Sequence, residues 1–148
     1  MRAAVCAGFV MSAGRHAAQF TIVTQPVCEH ENLMLGLARS GVDVEWYLET
    51  MVYNRAPPDQ CFFWGVGGNK GHHWHGGATM PWQGQQGFKQ GDVVGLLLDC
   101  DAGTLTVKKN GKRLGVAKTG LTGEFCWAVA LTGAVGAVRI AAADAAAF

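Results

Sequence analysis

The stretch from Lys89 to Val116 constrains the fold of this chain more than any other part of its sequence. It divides into strand-like runs and the turn sequences between them, in the order 93–98, 99–103, 104–108, 110–111 and 114–116. The second turn is Asn110-Gly111, a pair that favours a type I′ turn because both central residues need a positive φ. In the run before it, apolar Leu105 and Val107 alternate with polar residues, as in a half-buried strand. The stretch therefore predicts three antiparallel strands joined by two tight turns.

The bulk composition is typical of a single globular domain. The 148 residues are 49% hydrophobic and 16% charged, which excludes a disordered tail or an acidic linker. We therefore interpret residues 1–148 as one domain, with its core in residues 3–141 and an Ala-rich tail at 142–148. The formal net charge is +1 and no cluster of Lys and Arg stands out, so we expect no nucleic-acid partner. No apolar run approaches the ~20 residues of a membrane span, so we expect no membrane association.

The cysteines indicate a reducing compartment. There are five, an odd number with no Cys-x-x-Cys spacing, at positions 6, 28, 61, 100 and 126. Several lie in apolar runs, where a free cysteine behaves as a small buried hydrophobe. These features favour a cytoplasmic protein with reduced thiols. The alternative is a secreted protein, because Arg2 is followed by an apolar run and then by the small residues Ser12-Ala13-Gly14, as in a signal peptide.

Short β-rich runs follow one another along the chain with turn residues between them. The predicted strands are 3–11, 16–23, 33–38, 61–66, 72–75, 93–98, 104–108, 114–116, 124–131 and 137–141. The run at 33–38 is apolar throughout, so we expect it to be buried on both faces. Many short strands at regular spacing predict an all-β sandwich. The tail at 142–148 is predicted to form a short frayed helix.

The segment at 41–60 is the least regular part of the sequence. A helical turn is expected around residues 44–52, and Pro57-Pro58 ends any regular structure. The segment carries Trp46, Tyr47, Tyr53 and Arg55, residue types that are enriched in binding hot spots. Two interpretations remain open here: the aromatic residues contact a partner, or they fold back onto the core.

Short motifs, most of which contain glycine, occur along the chain in a fixed order. They are Ser-Ala-Gly-Arg-His at 12–16, Leu-Met-Leu-Gly-Leu-Ala at 33–38, Phe-Trp-Gly at 63–65, Trp-His-Gly at 74–76, Gly-Asp-Val-Val-Gly at 91–95, Lys-Asn-Gly at 109–111, Leu-Gly-Val-Ala at 114–117 and Trp-Ala-Val-Ala-Leu at 127–131. The most specific block spans 91–117, and the set covers nearly the whole chain. In this order it resembles the SPRY domain family. The resemblance implies a bent antiparallel β-sandwich of two sheets, with a concanavalin-like jelly-roll topology.

The resemblance also implies a function and a set of contact positions. SPRY domains hold peptides or protein surfaces with loops at the ends of the sandwich, so we expect a non-enzymatic protein–protein interaction module without a cofactor. Such a module serves as an adaptor or a small structural subunit of a larger assembly. By position, the partner-binding candidates are Arg39, Asp43, Trp46, Tyr47, Tyr53, Arg55, Asn69, Lys70, Leu131, Thr132 and Gly133. A family strand occupies the place of the supposed signal peptide. The family usually has Tyr or Trp where Ala17 and Ala18 stand in this chain. The absence of these aromatic residues would reshape the ligand surface.

Two kinds of active site have weak support in the sequence. His72, His73 and His75 suggest a metal, but at most two of them share one face of a strand, so we expect no metal site. Cys28 beside Glu29-His30 is the one candidate nucleophile by sequence. Asp residues at 99 and 101 flank a hairpin turn, where such side chains accept hydrogen bonds from backbone amides. We therefore expect that the protein is not an enzyme.

A carbohydrate-binding β-sandwich is the second function considered. In that interpretation Trp74 and Trp82 form a stacking platform, and nearby His, Gln and Asn side chains bind sugar hydroxyls.

Overall fold

A computed structural model describes residues 2–24, 33–51, 60–66, 72–75, 78–131 and 136–148, and for 48–51, 63–66, 72–75 and 78–80 it describes the backbone alone. Within these residues the strands are β1 (Arg2–Val5), β2 (Arg15–Thr24), β3 (Leu33–Arg39), β4 (Cys61–Val66), β5 (His72–His75), β6 (Ala78–Met80), β7 (Val93–Asp99), β8 (Thr104–Lys109), β9 (Lys112–Lys118), β10 (Phe125–Leu131) and β11 (Ala137–Ala143). One α-helix, α1, spans Val44–Met51, and a short 3₁₀ helix spans Ala145–Ala147.

The strands form two antiparallel sheets. One sheet has six strands in the order β1-β10-β3-β4-β5-β6, and the other has five in the order β11-β2-β7-β8-β9. The first strands of the chain pair with the last, since β1 lies beside β10 and β2 lies beside β11. This architecture confirms the predicted all-β fold with two antiparallel sheets.

The largest differences from the predicted elements are at residues 3–11, at β6 and in the tail. The predicted strand at 3–11 ends at Val5 and continues as a turn, after which Met11 makes an isolated bridge to Phe125. Gly8 lies in that turn, and a glycine inside an apolar run commonly interrupts a strand. Strand β6 lies in a segment where no strand was predicted. The tail continues β11 to Ala143 before its 3₁₀ turn, because β2 offers a partner along that length.

The main core lies between the two sheets. Alternate residues of β2, β3, β7, β8 and β10 point into it, and the aromatic rings of Phe20 and Trp127 meet edge to face with centroids 6.0 Å apart. Its largest members include Met11, Phe20, Ile22, Leu35, Leu37, Phe62, Leu96 and Trp127. Burial of this alternating apolar set is the main force that holds the sheets together.

A second core covers the outer face of the six-stranded sheet. It contains Val44 and Tyr47 of α1, which pack on Met34 and Ala38 of β3 and on small residues of β10. The helix therefore explains why β3 is buried on both faces, as its apolar sequence predicted: its first six residues are all buried.

The hairpin block adopts the predicted turns. Asn110 has a φ of 49° and Gly111 a φ of 80°, as a type I′ turn requires. In the first turn, the Asp99 carboxylate accepts a 2.8 Å hydrogen bond from the Ala102 amide. The Asp101 carboxylate accepts a 3.0 Å bond from the amide of Gly14, which ties this turn to the start of β2.

Candidate functional site

The partner-binding candidates that the structure describes do not all lie at one place on the six-stranded sheet. Arg39 ends β3 and lies opposite Phe125, whereas Leu131 ends β10 and lies opposite Leu33. These two pairs are six positions apart in the same ladder, which corresponds to roughly 20 Å at about 3.4 Å per residue. Arg39 and Leu131 therefore lie at opposite ends of the six-stranded sheet.

Six of the candidates lie outside the described residues: Tyr53, Arg55, Asn69, Lys70, Thr132 and Gly133. Their role stays a prediction. The residues that flank two of them can be placed, because Val66 ends β4 and His72 begins β5 at the same end of the sheet as Leu131.

Arg39 connects the end of β3 to the loop before β10. Its guanidinium donates a 2.6 Å hydrogen bond to the Thr122 carbonyl and lies 4.9 Å from the centre of the Phe125 ring. Its amide donates to the Gln60 carbonyl at 2.8 Å. Arg39 is thus half-buried and holds the loop before β10 against the end of β3. Its guanidinium lines a small recess at this end of the sandwich.

That recess has a volume of about 90 Å³. It is lined by Arg39, Cys61, Phe62, Lys118, Gly120, Leu121, Thr122 and Phe125. Pockets that enclose small-molecule substrates usually measure about 300–1,000 Å³. The recess is therefore suited to a single side chain of a partner and not to an enclosed substrate.

Asp43 fixes the start of helix α1. Its side-chain Oδ1 accepts a 3.0 Å hydrogen bond from the Trp46 amide, and its carbonyl accepts a 2.9 Å bond from the Tyr47 amide. This is the geometry of an N-cap, in which a side-chain oxygen satisfies an amide of the first turn. Asp43 therefore sets the direction of the helix that carries Trp46.

The two adjacent aromatic residues of α1 have opposite environments. Trp46 is 53% exposed, whereas Tyr47 is 0% exposed and packs in the second core with Val44, one turn earlier. The expectation that Tyr47 contacts a partner is corrected by this burial, since its ring lies between the helix and the sheet. Trp46 stays a candidate contact residue.

A hydrogen bond also fastens α1 to the edge of its sheet. Glu45 Oε1 accepts a 3.0 Å bond from the amide of Ala3 in β1. Together with the Asp43 cap and the buried Tyr47, this contact holds the helix in one orientation. We call the outward side of α1 around Trp46 the helix surface.

Cys61, Cys100 and Cys126 are poorly suited to nucleophilic catalysis. Burial raises the pKa of Cys61 from 9.0 to about 12. Burial also raises the pKa of Cys100 and Cys126, and nearby acidic groups raise both further. A high pKa disfavours the reactive thiolate. Cys28, the candidate from sequence, lies outside the described residues.

Acid and metal chemistry receive no support from the described side chains either. Asp99 and Asp101 bind backbone amides at the first hairpin turn. Within the described part of the chain, no group of three His, Cys, Asp or Glu residues is placed to hold a metal ion. The side chains of the three histidines of β5 are not among those described.

Sequence reasoning missed two aromatic residues on the surface. Phe9 is 53% exposed and borders an apolar recess of about 240 Å³ that reaches Cys6 and Trp127. Gly8 interrupts the apolar run at 3–11, and this was the sequence feature that could have indicated the exposure of Phe9. Phe148 folds onto the five-stranded sheet, and no local pattern in an Ala-rich tail predicts that contact.

The comparisons with known proteins give one consistent result. The family model of the SPRY domain matches residues 19–143. The crystal structure of the SPRY domain of human HERC1 matches with a TM-score of 0.67 and 20% sequence identity, covering 90% of this chain and 78% of that chain. A search of curated proteins found no match. The lectin interpretation receives no support from these matches. Among the residues that the structure describes, no helix is both long and apolar enough to cross a membrane.

Proposed function

We propose that this chain, which belongs to the SPRY domain family of protein-interaction modules, is a non-enzymatic adaptor or small structural subunit that binds a peptide or protein partner. The helix surface around Trp46 is its contact site, together with the loops that bear the candidates outside the described residues. No cofactor takes part.

The observation that carries this proposal is the exposure of Trp46. About half of this large side chain is open to solvent, although the helix that bears it is anchored by an N-cap, by Glu45 and by a buried Tyr47. Tryptophan on a rigid support is the residue type most enriched at interaction hot spots. Little conformational entropy is lost when such a preorganised residue binds.

The location and the absence of catalysis are part of the same proposal. Cys6, Cys61, Cys100 and Cys126 are free thiols, which supports a reducing compartment such as the cytoplasm. The raised pKa of Cys61 supports a binding role over thiol catalysis.

Quantitative affinity purification tests the proposal. Tagged wild-type protein and a Trp46→Ala variant are used as baits, and bound proteins are measured by mass spectrometry. A hot-spot residue contributes about 2 kcal/mol or more, so a specific partner should bind the variant roughly 30-fold more weakly.

Val116→Ala is the matched control, because Val116 is an exposed apolar residue (40% exposed) on β9 of the other sheet. Partners that use the helix surface should be retained by this control. A partner set that is identical for wild type, Trp46→Ala and Val116→Ala would remove the helix surface from the interface.

A further inference from the structure

The residues after β11 form a short strap across the outer face of the five-stranded sheet. The Asp144 carboxylate accepts a 2.9 Å hydrogen bond from the Ala146 amide, and the Asp144 carbonyl accepts a 3.1 Å bond from the Ala147 amide. These bonds turn the chain over the sheet directly after Ala143. We call residues 144–148 the strap.

The Phe148 ring packs against Gly95 and Lys108. We call this position on the sheet the seat. A Cβ atom at Gly95 would lie 2.8 Å from Cζ of the Phe148 ring, so the ring occupies the place where a side chain would stand. The Lys108 ammonium lies 4.7 Å from the ring centre, within the range of a cation–π contact. The same ammonium donates a hydrogen bond to the Ala147 carbonyl. The seat thus combines an aromatic contact with a cation that binds a neighbouring oxygen.

The strap fills only part of the groove in which it lies. A space of about 370 Å³ remains between the strap and strands β2, β7 and β8. It is lined by Gln19, Val93, Gly95, Lys108, Gly111, Ala142, Ala143, Asp144, Ala147 and Phe148. A few residues of a second chain fit into a space of this size beside the seat.

The charges around this groove are predominantly positive. Lys112 and Arg113 are exposed at the neighbouring hairpin, and Arg113 lies directly opposite Lys108 in the β8–β9 ladder. Like charges placed opposite each other are unfavourable until an anion binds between them. Among the described side chains that line the groove, Asp144 supplies the one carboxylate, and it already accepts a bond from the Ala146 amide. An acidic partner is therefore electrostatically complementary.

We infer that the outer face of the five-stranded sheet carries a second protein-binding site, which takes an aromatic residue next to a carboxylate from a partner protein. Phe148 closes this site from within the chain. The Phe148 ring of the strap shows that the seat accepts an aromatic side chain. The cations of the β8–β9 hairpin favour a carboxylate beside that ring. The site lies on the opposite sheet from the helix surface and does not depend on it.

The strap competes because it is tethered. A tethered group acts at an effective concentration in the millimolar range. If Phe148 occupies the seat nine-tenths of the time, the apparent affinity for a partner segment falls tenfold. Removal of the Phe148 ring should therefore raise the apparent affinity for a partner segment tenfold.

The test is a titration of the 148-residue chain with a capped peptide of sequence Ala-Ala-Phe-Glu, followed through backbone amide signals by NMR. Wild type, Phe148→Ala and the double variant Phe148→Ala/Gly95→Val are compared. We expect Phe148→Ala to bind at least tenfold more tightly than wild type, with the largest shifts at Gly95 and Lys108. The double variant should lose binding, because its new side chain fills the seat.

Three controls keep the result interpretable. Gly95 does not have a positive φ, so valine is compatible with its strand, and thermal unfolding checks this. Lys108→Gln in the Phe148→Ala background removes the cation without filling the seat and should weaken binding several-fold. A peptide with Lys in place of Glu should also bind several-fold more weakly, with a difference that shrinks at high salt.

Several results would overturn the inference. Equal affinity of wild type and Phe148→Ala would show that Phe148 does not close the site. Binding that survives Gly95→Val would place the peptide elsewhere. No shifts with Phe148→Ala would remove the site altogether, and equal binding of the Lys peptide would remove the preference for a carboxylate.

Discussion

Asp92 is a buried carboxylate that joins three parts of the hairpin block. It is 4% exposed and accepts hydrogen bonds from the Lys89 amide at 2.8 Å and from the Asn110 side chain at 2.9 Å. Lys109 lies 3.2 Å from it in a salt bridge. Burial alone would raise the pKa of Asp92, but the bonds from Asn110, Lys89 and Lys109 together lower it below the ordinary value. The charged form is therefore part of the folded state.

The first prediction concerns this carboxylate and pH. Because the pKa of Asp92 is lower in the folded state than the ordinary value of about 3.9, the unfolded chain binds more protons as pH falls. The stabilisation is complete above that value and is lost as pH drops through the folded-state pKa. Asp92→Asn should cost about 1–3 kcal/mol at pH 7 and flatten the loss of stability below about pH 4.

Urea unfolding from pH 7 down to pH 2.5 measures this effect. Glu124→Gln replaces an exposed carboxylate and serves as the control. Curves for wild type and Asp92→Asn that stay parallel over the acid range would contradict the assigned role of Asp92.

A second prediction concerns Gly111. This residue has a φ of 80°, and no atom lies within 4 Å of the place where its Cβ would stand. The cost of Gly111→Val therefore comes from backbone strain alone and should be on the order of 1–3 kcal/mol. Thermal unfolding checks it against Gly8→Ala, whose site is equally open but has no positive φ. An unchanged melting temperature for Gly111→Val would be incompatible with the type I′ turn.

Helix α1 has one side in the core and one side at the surface, and the adjacent residues Tyr47 and Trp46 lie on these two sides. We predict that Tyr47→Ala costs about 3–5 kcal/mol, since it removes a fully buried ring. Trp46→Ala should cost about 1 kcal/mol or less, because its side chain is half exposed. Chemical denaturation of both variants measures the difference, and equal losses would mean that the helix is packed differently.

Strands with local turn signals were predictable from the sequence. The β7–β9 block needs only its own Asn-Gly and Asp-Ala-Gly turns, and both carry the predicted conformations. Strand β6 was missed because three residues give no periodic pattern, and its pairing with β5 is a tertiary contact.

The candidate site was less predictable than the fold. Trp46 and Tyr47 are both large aromatic residues, so the sequence does not show which one is buried. The rotation of the helix about its axis relative to β3 decides this. The separation of Arg39 from Leu131 depends on the β3–β10 register, which no local sequence feature specifies. The seat of Phe148 requires a glycine more than 50 positions earlier in the chain, at Gly95.

The sandwich as a unit depends on contacts between the two ends of the sequence. Strands β1 and β2 pair with β10 and β11, so neither sheet is complete until late strands are in place. One core is shared by both sheets. Folding dominated by such distant pairings is slow, typically milliseconds to seconds.

We therefore predict a single cooperative unfolding transition. Leu96→Ala removes a fully buried side chain from the shared core and should cost about 2–5 kcal/mol. Far-ultraviolet circular dichroism and tryptophan fluorescence should shift together in urea, as two-state behaviour requires. Separate midpoints for the two probes would show that the sheets unfold independently.

The bond between Glu45 and Ala3 has a consequence for aggregation. Strand β1 is the first strand of its sheet, and an outer strand exposes amides that can template the addition of a foreign strand. The Glu45 carboxylate occupies one of these amides and places a negative charge along the edge. An incoming strand must displace that carboxylate before it can pair. The helix that presents Trp46 therefore also makes the addition of a foreign strand at Ala3 less favourable.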